Sequence, residues 1–94
     1  MTPPDLQSRP ALAQRVRLRD DPVSGQPVLL YPEGLLELNE TAHAIVAQCD
    51  GAKTIAQIVD ALAAEYEAAA EDVSPDVLEC LRDLRARNLI VFQS

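Results

Sequence analysis

The hydropathy pattern of the chain changes its period once, at Asn39, and this change limits the folds that the chain can adopt. Before Asn39 the apolar residues come in short runs that are typical of strands. After it they recur at the spacing of a helix face. Strands and helices are therefore segregated along the chain, as in an α+β domain. With 94 residues the chain is long enough for one domain, which excludes a multidomain enzyme and a large doubly wound sheet.

The first part of the chain predicts short antiparallel strands. Residues 15–19 alternate polar and apolar side chains, as in a strand with one buried face. Turn residues separate them from a second strand at 28–31. Residues 32–34 then form a proline–glycine turn that leads to a third strand at 35–38.

Two helices are predicted after this point. Asn39 is a good N-cap for the first helix, and Gly51 is expected to end it. Thr54 and Gln57 fit a capping box that opens the second helix. Each helix has one apolar face, made of Ala42, Ile45, Val46 and Cys49 in the first and of Ile55, Ile58, Val59, Leu62 and Tyr66 in the second.

The last part of the chain predicts a third helix. Ser74 and Pro75 suit its cap and its first position, and Asn88 suits its end. The apolar run at 89–92 follows as a strand or a packed tail. The core face of this helix comprises Val77, Leu81 and Leu84.

Proline residues among polar ones mark the beginning of the chain as a flexible N-terminal tail over residues 1–14. Residues 15–94 then form a single domain. We predict a small winged-helix-like α+β domain, with three short antiparallel strands followed by three helices and with the strands as the wing.

The chain is acidic, with 15 Asp and Glu against 8 Lys and Arg and a formal net charge of −7. Such a charge repels phosphate backbones and anionic lipid, so neither nucleic acid nor a membrane surface is the expected partner. No apolar run approaches the ~20 residues of a membrane span. The beginning of the chain lacks the basic and apolar segments of a signal peptide. These features predict a soluble, cytoplasmic protein.

Few residues are candidates for catalysis or for metal or phosphate binding. His43 is the single histidine, and no Cys or carboxylate pattern beside it suggests a metal site. Cys49 and Cys80 are isolated thiols beside apolar helix faces, where free cysteine is commonly buried, and a nucleophile would need a base beside it. A glycine-rich phosphate loop is absent. The sequence therefore predicts no enzyme activity, no catalytic residue and no metal site.

The winged-helix fold is also used for DNA binding, in which the N-terminal half of the recognition helix enters the major groove. Here that half carries Asp76 and Glu79, whose repulsion of phosphate outweighs the attraction of Arg82 and Arg85. The charges argue against DNA. The alternative function is a winged-helix module that binds or regulates another protein.

One surface of the third helix could bind a partner. Leu78, Arg82 and Arg85 fall together at ~100° per residue, beside the core face. This arrangement could hold an apolar side chain of a partner and pair with its carboxylates. The same pattern also fits a solvated helix surface with local ion pairs, such as Glu79 with Arg82.

The third strand offers a second binding feature. Leu35 is predicted to point away from Leu36 and Leu38. At a sheet edge the free amides and carbonyls of such a strand accept an extended peptide. Alternatively the edge is covered by the tail or by a second copy of the chain, in a homodimer formed by strand exchange.

Several motifs stand at a spacing that resembles a known family. They are Tyr31-Pro32-Glu33-Gly34, then Leu36, Leu38 and Asn39 before the first helix, then Cys49-Asp50-Gly51 followed by Thr54-Ile55 and Ile58-Val59. Similarity continues through Asp76-Val77, Leu81 and Leu84 to Leu89-Ile90, so that the likeness spans residues 15–91. On these motifs the chain resembles the pyrroloquinoline quinone biosynthesis protein D family.

This resemblance implies a peptide chaperone that binds a ribosomally made precursor peptide. The domain would present that peptide to a radical S-adenosylmethionine enzyme, which crosslinks a Glu and a Tyr within it. The iron–sulfur chemistry belongs to that partner, so the resemblance implies no cofactor on this chain. Related domains bind the leader peptide as an added strand against the third strand and the third helix. Carried onto this sequence, the expected peptide-binding residues are Leu35, Leu36, Glu37, Leu38, Leu78, Arg82 and Arg85.

Overall fold

The fold of residues 6–93 is given by a computed structural model. Short strands precede the helices, and one more strand follows them. In chain order the elements are β1 (Arg9–Leu12), β2 (Arg17–Asp20), β3 (Pro27–Tyr31), β4 (Gly34–Glu37), α1 (Glu40–Val46), α2 (Ile55–Glu65), α3 (Ala70–Ala86) and β5 (Ile90–Gln93). The predicted α+β class, with three helices and a three-stranded antiparallel wing, is confirmed.

The strands form two small antiparallel sheets. The first has the order β2-β3-β4, so that β3 is central and β2 and β4 lie at the edges. The second pairs β1 with β5, and its register sets Pro10 opposite Phe92. The apolar run at 89–92 is therefore a strand, which is one of the two forms predicted for it.

The predicted tail is too long, because its residues 9–12 form β1. Pro10 is fully buried, and its carbonyl accepts a hydrogen bond of 2.9 Å from the amide of Gly51. Local composition could not show this strand, because its partner β5 lies at the far end of the chain. Residues 1–5 of the predicted tail lie outside the described residues.

Two predicted helix starts are confirmed by their caps. The side chain of Asn39 accepts from the amide of Ala42 at 2.7 Å. Thr54 and Gln57 form the reciprocal capping box, with distances of 2.8 and 3.2 Å between each side-chain oxygen and the other residue's amide. These bonds satisfy amides that the first helical turn leaves without a partner.

Two predicted helix boundaries are wrong. The helix α1 ends at Val46 rather than running to Gly51, because a tight turn follows in which Cys49 donates its amide to Val46. The helix α3 begins at Ala70 rather than at Ser74, so that Pro75 lies inside it. Glu71 and Asp72 favour the additional first turn, because they lie at its positive end.

One continuous core joins the wing to the helices. Its members come from both sheets and from all three helices, so that each element covers part of the others. Among residues 6–93, no helix is both long enough and apolar enough to cross a membrane. The fully buried core side chains include Leu29, Ile45, Ile55, Ile58, Val77, Leu81, Leu84 and Ile90.

Candidate functional site

The strand β4 has one free edge. It pairs with β3 on one side, and within residues 6–93 no strand pairs with its other side. The amide of Leu38 donates to the carbonyl of Pro27 at 2.9 Å, which makes these two residues a hydrogen-bonded pair. Because such pairs alternate along an antiparallel ladder, the backbone groups of Leu36 face β3. Those of Leu35 and Glu37 therefore face outward, where an added strand would meet them.

The four strand residues expected to contact a peptide have different surroundings. Leu36 is half-buried and packs against the core, and Leu38 is fully enclosed in it. Leu35 and Glu37 are exposed on the opposite face. The predicted division of faces is therefore confirmed, although the side chain of Leu38 is not accessible to a ligand.

The outer face of the wing carries an exposed apolar pair beside the free edge. Leu30 on β3 lies directly opposite Leu35 on β4, and the two residues are 39% and 50% exposed. Arg17 on β2 continues the same row. A strand added along β4 would bring its own side chains next to Leu35, since side chains of adjacent strands at one register position share a face.

The helix α3 lies beside both ends of β4. At the β3–β4 turn, a cavity of about 410 Å³ has Pro32 and Glu33 on one side and Arg87 and Asn88 on the other. Beyond the other end of β4, a second cavity of about 680 Å³ separates the start of α1 from the middle of α3. The turn before β4 therefore lies near the end of α3, and the residues after β4 lie near the middle of α3.

We call the second cavity the acidic groove. Its α3 residues recur at positions i, i+3, i+4 and i+7, which is the spacing of one helix side. The groove is lined by Asn39, Thr41, Ala42, Asp76, Glu79, Cys80 and Asp83. Sequence reasoning missed this set as a site, although the spacing of its acidic residues was readable. Only the packing of α1 against α3 shows that this side of α3 lines a groove.

The predicted helix residues lie on another side of α3. Leu78, Arg82 and Arg85 do not line the acidic groove, and Leu78 lies about 160° around the helix from Cys80. Leu78 is half-buried against the core, Arg82 is exposed and Arg85 is half-buried. The structure therefore brings Leu35, Leu36 and Glu37 together, but it does not bring the two arginines to the groove beside them.

The acidic groove has a negative potential. Burial, followed by the charges of Asp83 and Glu79, raises the pKa of the Cys80 thiol to about 11. The carboxylate of Asp83 bonds to the guanidinium of Arg87 at 3.1 Å. Asp76 and Glu79 have no ion-pair partner in the part of the chain that the structure describes. Within residues 6–93, no group of three or more His, Cys, Asp or Glu is arranged to hold a metal ion.

Comparison with known proteins identifies relatives of the whole domain. Residues 27–90 match the family described as coenzyme PQQ synthesis protein D, PqqD. A protein of Xanthomonas oryzae named PqqA binding protein is 42% identical over 88% of this chain and 90% of its own length. A protein of the same name from Rhodopseudomonas palustris is 39% identical over 88% of this chain and 81% of its own length.

Two solved structures share the fold. The PqqD part of Methylobacterium extorquens PqqCD superposes with a TM-score of 0.75 at 34% identity, over 87% of each chain. It is described as a functional, stand-alone recognition element for ribosomally synthesized and post-translationally modified peptides. PqqD of Xanthomonas campestris gives a TM-score of 0.56 at 40% identity, over 84% of this chain and 89% of that one. With its fold and most of its length shared in this way, the chain belongs to the PqqD family of coenzyme PQQ synthesis proteins.

Proposed function

We propose that this chain binds a precursor peptide of the PqqA type in pyrroloquinoline quinone biosynthesis, with the peptide paired as an added strand along β4. The observation that carries the proposal is the free edge of β4, where Leu35 and Glu37 turn their backbone groups outward. The names of the relatives support the choice of ligand, since several are PqqA binding proteins.

Backbone pairing alone would bind such a peptide weakly. Leu35 and Glu37 offer two amides and two carbonyls, and each net hydrogen bond contributes about 0.5–1.5 kcal/mol. Their combined contribution falls below the about 8 kcal/mol of a micromolar complex, before the loss of freedom on binding is counted. Side-chain contacts must therefore supply the rest. The exposed Leu35 and the neighbouring side of α3 are the surfaces within reach.

We further propose that the chain acts as an adaptor without chemistry of its own. In this role it holds the extended precursor and presents it to a radical S-adenosylmethionine enzyme, whose iron–sulfur cluster supplies the chemistry. Because the precursor is made by ribosomes, we place this encounter in the cytoplasm. We keep Leu78, Arg82 and Arg85 as predicted peptide-binding residues, on the side of α3 away from the acidic groove.

The test is a titration of the isotope-labelled full chain with synthetic PqqA from Xanthomonas campestris, followed by amide chemical shifts. We expect the largest shifts at Leu35 and Glu37, with smaller ones at Leu36 because its amide already bonds within the sheet. Repeating the titration at several protein concentrations separates peptide binding from pairing of β4 with a second copy of the chain. Binding that leaves residues 34–38 unshifted would overturn the proposed site.

A further inference from the structure

The proposed function leaves open what the precursor must carry besides an extended backbone. Building on that function, we propose that the acidic groove binds a lysine or arginine side chain of the precursor, next to the segment that pairs with β4. The recognised peptide would then combine an apolar residue for Leu35 with a basic residue for Asp76 and Glu79.

The position of the groove supports this inference. The strand β4 ends at Glu37, and Asn39, two residues further on, already lines the groove. A peptide paired along β4 that continues past Glu37 therefore passes the mouth of the groove. With about 680 Å³, the groove has room for a long side chain. Lysine and arginine have both the length to reach its wall and the charge to pair with it.

The charge of the groove defines the occupant. Its lining contains three carboxylates and no basic side chain. Arg87 neutralises Asp83 in part, at 3.1 Å, whereas Asp76 and Glu79 have no ion-pair partner among residues 6–93. An acidic or phosphorylated peptide would be repelled here. A cationic side chain would gain charge-assisted hydrogen bonds with these carboxylates.

The pleat of the added strand sets the spacing between the apolar residue and the basic residue of the peptide. Successive side chains of a strand point to opposite faces. Leu35 lies on the outer face of the wing, whereas Leu36 faces the core that α3 shares. A peptide residue packed on Leu35 and a residue directed toward α3 must therefore be separated by an odd number of positions. This rule predicts a motif in the precursor rather than a general preference for positive charge.

The negatively charged surroundings of Cys80 support binding of the basic side chain on the groove side of α3. Its thiol lies in the groove, and the charges of Asp83 and Glu79 act on it directly. On the other side of α3, Arg82 and Arg85 would favour a carboxylate instead. The two sides of α3 thus require opposite charges in the peptide. Binding at one can be distinguished from binding at the other by charge exchange.

The experiment compares two protein variants with matched charge changes. Asp76→Asn with Glu79→Gln removes two charges from the groove. Asp60→Asn with Glu65→Gln, at exposed positions of α2 away from the groove and from β4, is the control that removes the same charge. The ligand is synthetic PqqA of Xanthomonas campestris, together with versions in which each lysine or arginine in turn is replaced by glutamate. Calorimetry gives the affinity, and amide shifts at residues 34–38 report the pairing with β4.

We expect the groove variant to bind about tenfold more weakly than the wild type, and the control to bind equally well. One glutamate-substituted peptide should bind the wild type weakly and regain affinity for Asp76→Lys. Equal binding by the groove variant, with β4 shifts retained, would overturn this inference and leave the proposed function standing. An equal loss of affinity in the control at Asp60 and Glu65 would also overturn it, because the effect would then follow from the net charge of the domain. A wild type that neither binds nor shifts at β4 would overturn both.

Discussion

Leu38 donates its backbone amide to the carbonyl of Pro27 across 2.9 Å. This bond determines which residues of β4 bond to β3 and which turn their backbone groups to the free edge. Through the alternation of the ladder, Leu36 also bonds to β3, whereas Leu35 and Glu37 present their backbone groups outward. Neighbouring residues of one strand therefore have opposite roles. Those at 36 and 38 hold the sheet together, and those at 35 and 37 are open to a ligand.

Proline substitution separates these two roles. Leu35→Pro removes an outward amide and is expected to abolish or strongly weaken PqqA binding while the domain stays folded, since proline is tolerated at a sheet edge when its missing amide is not needed. Leu36→Pro removes an amide that bonds to β3 and leaves its acceptor without a donor, and it is expected to destabilise the domain by about 1–3 kcal/mol. Circular dichroism with guanidinium unfolding measures stability, and calorimetry measures binding.

The control for this pair is Leu35→Ala, which removes the exposed side chain but keeps the amide. We expect it to bind the peptide more tightly than Leu35→Pro and less tightly than the wild type. Stability close to wild type for Leu36→Pro, or a large loss of stability for Leu35→Pro, would show that Leu35 rather than Leu36 bonds to β3.

Local chemistry made parts of this fold predictable. The caps at Asn39 and Thr54 depend on residues within one helical turn, so the sequence identifies them directly. The alternation of Leu35 with Leu36 and Leu38 is equally local, and the structure confirms it. Such features need no knowledge of what packs against the element.

The parts that the sequence did not predict depend on distant contacts. Strand β1 forms because Pro10 and its neighbours pair with β5, which follows the last helix. The side of α3 that lines the acidic groove is set by the packing of α1. The wheel of α3 places Leu78, Arg82 and Arg85 on one side of the helix. However, a wheel cannot tell which side of the core face lies next to the free strand.

The capping box of α2 should contribute measurably to stability. Thr54→Ala removes the oxygen that accepts from the amide of Gln57 at 3.2 Å and leaves that amide without its partner. We expect a loss of about 1 kcal/mol, with Thr54→Ser close to wild type because serine keeps the hydroxyl. Thermal or guanidinium unfolding checks this. A loss as large for Thr54→Ser would attribute the effect to the methyl group.

The buried thiol of Cys49 makes stability depend on alkaline pH. Burial is the main cause that raises the pKa of Cys49, from 9.0 to about 12. The unfolded chain releases this proton first, so the stability that the neutral thiol contributes is fully present below pH 9 and is lost as pH rises toward about 12. Guanidinium unfolding from pH ~7 to ~10 should show this loss.

The matched variant is Cys49→Ala, which has no proton to lose at this position. The difference in unfolding free energy between the wild type and Cys49→Ala should be largest near neutral pH and should narrow above pH 9. A difference that stays constant across this range would mean that the thiol does not titrate differently in the folded and unfolded chains.

Gly51 occupies a position where a residue with a Cβ would be strained. Its φ of +79° lies in the left-handed region. A Cβ added there would stand 3.0 Å from Oε1 of Gln93 and 3.3 Å from Cβ of Ala11. We expect Gly51→Ala to destabilise the domain by about 1–3 kcal/mol, because backbone strain and crowding of the β1–β5 sheet add together. Gly25→Ala has a similar φ but open space around it, so its smaller loss isolates the crowding.

Alkylation of Cys80 reports the charges of the acidic groove without any peptide. Burial is the main cause that raises the pKa of this thiol, and the charges of Asp83 and Glu79 raise it further. Glu79→Gln should therefore lower this pKa and increase the thiolate fraction at a given pH. At about pH 9 we expect the rate of reaction with iodoacetamide to rise about two- to fivefold. Arg82→Gln, which lies outside the groove, should leave the rate unchanged. Mass spectrometry separates Cys80 from the buried Cys49. Equal rates in the wild type and Glu79→Gln would show that the charge of Glu79 does not reach the groove.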